Sequence, residues 1–203
     1  MSIFSPFHRH VQDAKCTPYP FCVMSKHREQ SLKNRAEILR RCYPLLATGS
    51  WEAISVSDLE KAITQTKGAI AYYHKNKQTL FNNIMDELFF PVFGISDDIR
   101  KALSKCTISE FHKRYKTPFE RLRDDLKDNY RVQNPSQAIF NLFIQGAKHY
   151  DGFTQRINNL MKIEQDYMSE LVGGRVNTLI DLNKVYIQNV GNIFVESLSL
   201  DFQ

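Results

Sequence analysis

Cysteine is scarce in this sequence, and long apolar runs are missing. Four cysteines among 203 residues are too few for the disulfide framework that holds small secreted proteins together. No apolar run approaches the roughly 20 residues needed to cross a bilayer, and residues 1–15 lack the uninterrupted apolar stretch of a secretory signal peptide. We therefore expect a soluble, cytoplasmic protein that has no membrane partner.

The chain also lacks the residue patterns on which most enzymatic chemistry depends. It contains no Gly-rich phosphate loop, no HExxH metal site and no nucleophile elbow. Cys16 and Cys22 follow His8 and His10, but their spacing matches no zinc-binding pattern closely. We therefore expect no catalytic residue, no metal and no cofactor, which disfavours a small helical enzyme.

Strand-like alternation of apolar and polar residues is absent as well, and no repeat, low-complexity tract or Gly/Ser linker occurs. Apolar residues instead recur at three- and four-residue spacing from Ser31 onward, which predicts an all-α fold. Pro118 is expected to bend or begin a helix. The helices predicted for the C-terminal part are 96–105, 109–131, 135–149, 153–173 and 178–200.

Two cysteines and two acidic residues within these helices are expected to have no role in a functional site. Cys42 and Cys106 fall in helical patterns, where a reduced thiol packs as a small hydrophobic group. Glu164 and Asp166 stand in a charged helical stretch, and we expect both carboxylates to face water.

Positive charge is concentrated near the N-terminus. Residues 1–78 hold 12 Lys and Arg against 6 Asp and Glu, whereas residues 79–203 hold 15 against 16. A basic region of this kind suits a polyanionic partner. Residues 1–30 contain three prolines and no helical period, so they are interpreted as a loosely ordered extension, with Met24 as an alternative start.

Two short helices joined by a tight turn are predicted between residues 31 and 90. A first amphipathic helix ends at Gly49, and Ser55 with Asp58 forms a capping-box-like start for the second helix. A further short segment runs from Lys67 to Tyr73, and Asn76 then caps a longer helix that Pro91 and Gly94 are expected to close or kink. This order of helices is typical of a helix-turn-helix, whose second short helix enters the major groove of DNA.

Residues 38–81 resemble the DNA-binding domain of the TetR family. The matching positions are Gly49, Ser55-Val56, Lys67-Gly68-Ala69-Ile70, Tyr72-Tyr73-His74 and Lys75-Asn76-Lys77 with Leu80-Phe81. The resemblance implies a three-helix DNA-binding domain over 31–90, followed by a C-terminal helical bundle over 91–203 that binds an effector and dimerises. Thr64 stands where the family usually has glycine, and His74 where it usually has phenylalanine.

The resemblance also implies three sets of site residues. The residues implied to contact DNA are Ser55, Gln65, Thr66, Lys67, Gly68, Ala69, Tyr72, Tyr73 and Lys77. Aromatic residues of the middle helices would line the effector pocket, or else pack in an ordinary core: Phe111, Tyr115, Phe119, Phe140, Phe143, His149 and Tyr150. The last two helices would form the homodimer interface through Met161, Met168, Leu171, Tyr186, Val190, Ile193 and Phe194, or else pack within the chain.

The leading functional hypothesis is a transcriptional repressor that a small-molecule effector releases from an operator in double-stranded DNA. The alternative is a helical protein–protein adaptor whose helix-turn-helix no longer acts on DNA. Thr64 and His74 favour the adaptor, whereas Lys67, Gly68, Lys75 and Lys77 favour DNA binding.

Overall fold

The computed structural model describes residues 21–66, 68–173 and 182–198, and the secondary structure of these ranges is entirely helical. The predicted all-α fold class is therefore confirmed. None of the described helices is long and apolar enough to cross a membrane. The helices are α1 (Phe21–Thr48), α2 (Val56–Ala62), α3 (Ala69–His74), α4 (Lys77–Ile84), a π-helical turn (Met85–Phe89), α5 (Phe90–Phe93), α6 (Asp97–Ser104), α7 (Ile108–Arg114), α8 (Pro118–Asp128), α9 (Pro135–His149), α10 (Phe153–Gly173) and α11 (Leu182–Ser197).

The chain divides into two units, Met1–Lys33 and Asn34–Gln203. In the first unit, the described residues form the beginning of α1, where Glu29 and Lys33 pair at 2.7 Å across one helical turn. The helix thus begins at Phe21 rather than at Ser31. The prediction of a loosely ordered segment over 1–30 was wrong for residues 21–30, because good helix formers there outweigh the prolines that precede them.

In the second unit, one face of α1 supplies part of the main core. Ile38, Cys42, Tyr43 and Leu46 are all fully buried, at the spacing the sequence predicts for a single helical face. Burial raises the pKa of the Cys42 thiol to about 12, so this thiol stays protonated and packs as a small hydrophobic group. Cys106 is also buried and reduced, as predicted.

The helix that begins with α4 continues through the π-helical turn into α5. The turn ends two residues before Pro91, which has no backbone N–H to donate to the helical ladder. A widened turn accommodates this break, and Gly94 then ends α5 in an extended conformation. The helix therefore closes at Gly94, one of the two outcomes that the sequence predicts.

The predicted helix 109–131 is two helices in the structure. Thr117 caps the second one, α8, through a capping box with Glu120, and Pro118 occupies its first turn. Proline is favoured at this position because its missing N–H would be unpaired in any case. Pro118 was expected either to bend or to begin a helix, and it begins one.

Aromatic rings fill the centre of the main core, between α5, α8, α9 and α10. The ring centroids of Phe93 and Phe143 lie 5.6 Å apart, and those of Phe143 and Phe153 lie 5.6 Å apart, both in edge-to-face pairs. Gly146 faces the Phe153 ring, and a Cβ atom there would lie only 2.4 Å from it. Glycine at this position therefore permits the close approach of α9 and α10.

A buried ion pair joins α8 to α10. Arg121 Nη2 donates to Glu164 Oε2 at 2.6 Å and to the Phe93 carbonyl at 2.7 Å, while the Tyr115 hydroxyl donates to Glu164 Oε1 at 2.8 Å. The Glu164 side chain has no solvent exposure. The prediction that Glu164 faces water was wrong, because its partner lies 43 residues away and leaves no local signal.

Candidate nucleic-acid interface

The first short helix, α2, begins at a capping box. Ser55 Oγ accepts from the Asp58 N–H at 3.2 Å, and the Ser55 N–H donates to Asp58 Oδ2 at 3.1 Å, as predicted. Hydrogen bonding from the Ser55 hydroxyl, followed by Lys61, lowers the pKa of Asp58 to about 2. Leu59 is fully buried and fixes the opposite face of α2 to the core.

The turn between α2 and α3 depends on Gly68. Its φ of +88° lies in the left-handed region, which side chains with a Cβ rarely adopt. Its N–H donates to Glu60 Oε1 at 2.8 Å, which ties the start of α3 to α2. Among the described residues of the turn, Gly68 takes the positive φ and Thr64 does not, so the departure from the family pattern at Thr64 causes no backbone strain.

Helix α3 has one buried and one exposed face. Ala69, Ile70 and His74 are buried, whereas the Tyr72 side chain is 79% exposed. Tyr73 is half-buried, and its hydroxyl accepts from Asn34 Nδ2 at 3.3 Å. The assignment of Ala69 to the DNA-facing surface is therefore corrected, because its side chain packs into the core.

Most of the predicted DNA-contacting residues surround one concavity of about 560 Å³ beside the turn. Within it, the Gln65 Oε1 atom is buried and has no hydrogen-bond partner among the residues that the structure describes. Lys67 lies outside the described residues. The predicted residues that line the concavity are Gln65, Thr66, Gly68, Ala69, Tyr72 and Tyr73.

Between α3 and α4 the backbone makes a tight turn at Lys75. This residue has φ 57° and ψ −56°, and the Asn76 N–H donates to the His74 carbonyl at 2.5 Å. Asn76 then caps α4 by accepting from the Thr79 N–H at 2.7 Å, as predicted. The γ-turn geometry is strained for a residue with a side chain, and it sets where α4 begins beside α3.

Lys77 is held by Trp51 rather than directed freely into solvent. Its ammonium donates to the Trp51 carbonyl and lies 4.6 Å from the centre of the indole ring. Partial burial lowers its pKa. Lys77 therefore has a structural role in addition to any contact with phosphate. The sequence pattern did not indicate this structural role.

His74 is the buried histidine of this region, with 1% exposure. Its Nδ1 lies 2.9 Å from Asn83 Nδ2, and its Nε2 has no partner within the described part of the chain. Burial and, to a smaller extent, the nearby Arg35 charge lower its pKa to about 4. His74 is therefore neutral at pH 7 and fills the position where the TetR pattern has phenylalanine.

The end of α1 and the loop that follows it are joined to α9 by side chains that the sequence pattern did not indicate. Asn141 Nδ2 donates to the Leu46 carbonyl at 3.0 Å and to the Gly49 carbonyl at 2.8 Å, where α1 ends. Gln145 Oε1 accepts from the Trp51 N–H at 3.1 Å. We call this set of contacts the α1–α9 junction. No local sequence signal marks it, because the partners are more than 90 residues apart.

The C-terminal end of α9 makes further contacts to the same region. His149 Nε2 lies 2.9 Å from Glu52 Oε1, and Gln78 Nε2 donates to the His149 carbonyl at 2.7 Å. Ser50, the Glu52 backbone and His149 together lower the pKa of Glu52 to about 2. His149, which was predicted to line an effector pocket, therefore contacts the loop before α2 and the first turn of α4.

The other residues predicted for an effector pocket belong to two apolar clusters, with Phe119, Phe140, Phe143 and Tyr150 in the main core and Phe111 and Tyr115 in a smaller one. Phe111 and Tyr115 stack on each other at 5.4 Å beside a small core of Leu103, Cys106 and Met168. Phe119 and Phe143 stack at 5.7 Å in the main core, and Phe140 meets Phe194 at 5.8 Å. The Tyr150 hydroxyl donates to Asp86 at 2.7 Å. These residues do not share one described cavity.

The predicted dimer residues divide between core and surface. Met168 and Ile193 are buried within the chain, so their assignment to an interface is corrected; each lies on the face that packs inward. Met161 and Leu171 are half-buried, and the Tyr186 side chain lies outside the described residues. The exposed large apolar residues of α11 and of the position directly after it are Ile187, Val190, Phe194 and Leu198, which we call the α11 stripe.

Within the described ranges, no group of three or more His, Cys, Asp or Glu side chains is arranged to hold a metal ion. No protein-family model matches the chain, and neither a curated protein nor a solved structure matches it. The likeness to the TetR family therefore rests on the residues of 38–81 themselves.

Proposed function

We propose that this protein is a TetR-type transcriptional regulator, a repressor that binds operator DNA as a homodimer and is released by a small-molecule effector. The observation that carries this proposal is the exposure of Tyr72. Its side chain is 79% exposed on the outer face of α3, while Ile70 and His74 anchor the inner face. An α-helix held in this way enters the major groove, which is about 12 Å wide.

Polar groups around Tyr72 suit a phosphate backbone. The Tyr72 and Tyr73 rings meet edge to face at 4.8 Å, which orients one exposed hydroxyl beside the start of α3. Asn76 caps only the Thr79 N–H, so the first N–H groups of α4 are available for an anion. Lys75 is exposed beside them. Such contacts position the protein, and base edges then provide sequence choice.

The α11 stripe supports the homodimer. Ile187 and Phe194 are 73% and 52% exposed and lie two helical turns apart. Gly191 stands between them, and a Cβ atom there would lie more than 4 Å from every described residue outside its own helix. An isologous interface buries such a stripe against its own copy. Two copies would then present two α3 helices to successive major grooves, about 34 Å apart.

Coupling between effector and DNA is proposed to run through α9. The Asn141 amide holds the end of α1, and Gln145 holds Trp51, while the middle of the same helix carries Phe143 in the aromatic core. A ligand that shifts α9 would therefore shift the helix-turn-helix. Release requires that the ligand bind the shifted form more tightly than the DNA-bound form.

The DNA-binding proposal is tested with a labelled duplex that the wild-type protein enriches from a random pool. Fluorescence anisotropy then compares Tyr72→Ala, Tyr72→Phe and Lys67→Ala with wild type. We expect Tyr72→Ala to weaken binding about tenfold or more, and Tyr72→Phe to weaken it less because the ring remains. Lys67→Ala should lower the slope of log affinity against log salt by about 1.

Lys162→Ala is the matched control, since Lys162 is exposed on α10 and is not part of the interface. It should bind as wild type does. If no duplex is enriched, or if the Tyr72 and Lys67 variants bind as tightly as wild type, the DNA-binding proposal is rejected. The protein–protein adaptor would then be the better description.

A further inference from the structure

A groove of about 790 Å³ lies beside the helix-turn-helix, between α1, α2, the π-helical turn, α5 and α8. Its volume is in the range of small-molecule sites. Half-buried apolar side chains line it, including Pro44, Leu88 and Val92. None of the residues predicted for an effector pocket lines this groove.

The groove contains one carboxylate without a cationic partner. Asp125 is half-buried and accepts from Asn129 Nδ2 at 2.6 Å, but no Lys, Arg or His of the described residues forms an ion pair with it. Burial raises the pKa of Asp125. The other two lining carboxylates are neutralised, since Glu37 pairs with Arg41 and Glu87 pairs with Arg35, both at 2.7 Å.

Aromatic and polar groups surround this carboxylate. The Tyr130 ring lines the groove and meets the ring of the fully buried Tyr43 edge to face at 4.8 Å. Burial and, after it, the nearby Asp125 charge raise the pKa of both phenols, that of Tyr130 to about 12. Arg40 is an exposed cation of the lining, and its charge acts on the Tyr130 pKa in the opposite direction. An aromatic face beside an unpaired carboxylate is a favourable setting for a positive charge.

We infer that this groove binds an amphipathic organic cation, whose charged group pairs with Asp125 and whose apolar body lies against Tyr130, Leu88 and Val92. The identification of this cation as the effector rests on the proposed function, whereas the binding itself does not. The groove has walls from α1 and α2 on one side and from α8 on the other. A ligand there would separate the helix-turn-helix from the C-terminal helices.

Isothermal titration calorimetry on the full chain tests the site with two ions of the same shape and opposite charge, tetraphenylphosphonium and tetraphenylborate. We expect the phosphonium to bind and the borate to bind at least about tenfold more weakly. Asp125→Asn, which keeps an acceptor for Asn129, should weaken phosphonium binding about tenfold or more. Hydrogen exchange on the wild type should show protection of α8 and the π-helical turn.

Asp124→Asn is the matched control. Asp124 is the neighbouring acid on α8, it pairs with Lys116, and it does not line the groove. This variant should bind the phosphonium as wild type does, and thermal unfolding should show that both variants are folded. Equal binding of the two ions, unchanged affinity in Asp125→Asn, or protection elsewhere in the chain would overturn the site.

The effector role is tested separately by adding tetraphenylphosphonium to the DNA complex. Release of the duplex from wild type but not from Asp125→Asn supports it. If the phosphonium binds at Asp125 and the duplex stays bound, the effector role is overturned while the site stands. If no duplex is ever bound, the proposed function fails, and the calorimetric result is unaffected.

Discussion

The start of α2 and the junction of α8 with α10 are stabilised by polar contacts of different range. At α2, Ser55 meets Asp58 three residues away, and Glu60 meets Gly68 eight residues away. Between the C-terminal helices, Arg121 meets Glu164 across 43 residues. Short-range contacts decide where a helix begins, and long-range contacts decide which helices meet.

The two kinds of contact also differ in burial. The Ser55 capping box is exposed to solvent, whereas the Glu164 side chain has no exposure and that of Arg121 has 9%. A buried charge that loses its partner keeps its desolvation penalty, whereas an exposed group returns to water. We therefore expect substitutions at the buried ion pair to cost more than substitutions at the exposed cap.

The largest effect is expected at the buried ion pair. Glu164→Leu leaves the Arg121 guanidinium buried without a carboxylate, and we expect a loss of about 3–5 kcal/mol in the free energy of unfolding. The double variant Arg121→Met/Glu164→Leu removes both charges and should recover part of this loss. Urea denaturation measures both values.

Glu29→Gln provides the exposed control, since Glu29 and Lys33 pair in solvent. It should leave the urea denaturation midpoint nearly unchanged, because solvent screens an exposed pair. If Glu164→Leu also costs less than about 1 kcal/mol, burial does not distinguish the two kinds of contact.

The second largest effect is expected at His74, the buried histidine at the end of α3. Its pKa is about 4 in the folded chain, against 6.5 for an ordinary histidine. The unfolded chain therefore takes up a proton as the pH falls below about 6.5, while the folded chain does not. Stability should be complete above that pH and should fall by roughly 3 kcal/mol by pH 4.

His74→Phe should remove most of this slope, since phenylalanine does not titrate and has a similar volume. His27→Gln is the control, because His27 is exposed and should leave the slope intact. Glu52 and Asp58 have lowered pKa values, so their contributions are lost at lower pH. A wild-type curve that is flat between pH 6.5 and pH 4.5 would contradict the buried neutral histidine.

The same difference in range explains which features were predictable from the sequence. The Ser55–Asp58 capping box, the Asn76 cap and the buried face of α1 all follow from spacings of three or four residues, and the structure contains them. Glu164 was misassigned because a helical pattern shows the type of a side chain and not its partner. The dimer assignment failed at Ile193 because both faces of α11 carry apolar residues.

At the candidate interface, too, local spacing was predictable from the sequence and contacts between distant residues were not. The TetR pattern indicated the exposed Tyr72, but it also included Ala69, which is buried at 8% exposure. The α1–α9 junction was missed entirely, because Asn141 and Gln145 are ordinary polar residues within a helix. Only the fold brings them to Gly49 and Trp51.

An intermediate effect is expected at this junction. Asn141→Leu removes the donor that serves three carbonyl groups at the end of α1, and we expect a loss of about 2 kcal/mol. Hydrogen exchange should show faster opening of α2 and α3 relative to α10, because the hydrogen bonds between the end of α1 and α9 are lost. Gln137→Leu is the control, since its side chain is exposed one turn earlier on α9. Equal exchange rates in both variants would show that the junction does not couple the regions.

The smallest effect is expected at the exposed cap. Ser55→Ala removes the hydroxyl that accepts from the Asp58 N–H, and we expect a loss of about 1 kcal/mol. The same hydroxyl is the largest cause of the lowered pKa of Asp58, so that pKa should rise from about 2 toward 3.8, as carbon-detected NMR titration would show. Because a lowered carboxyl pKa stabilises the fold only while the group is ionised, the difference between wild type and variant should shrink as the pH falls from 3.8 toward 2.

Thr117→Ala removes the same kind of cap from a position with 1% exposure, where the freed groups cannot reach water as easily, and it should cost more. Because both caps join residues three apart, equal losses at Ser55 and Thr117 would mean that burial does not set the energy of these contacts.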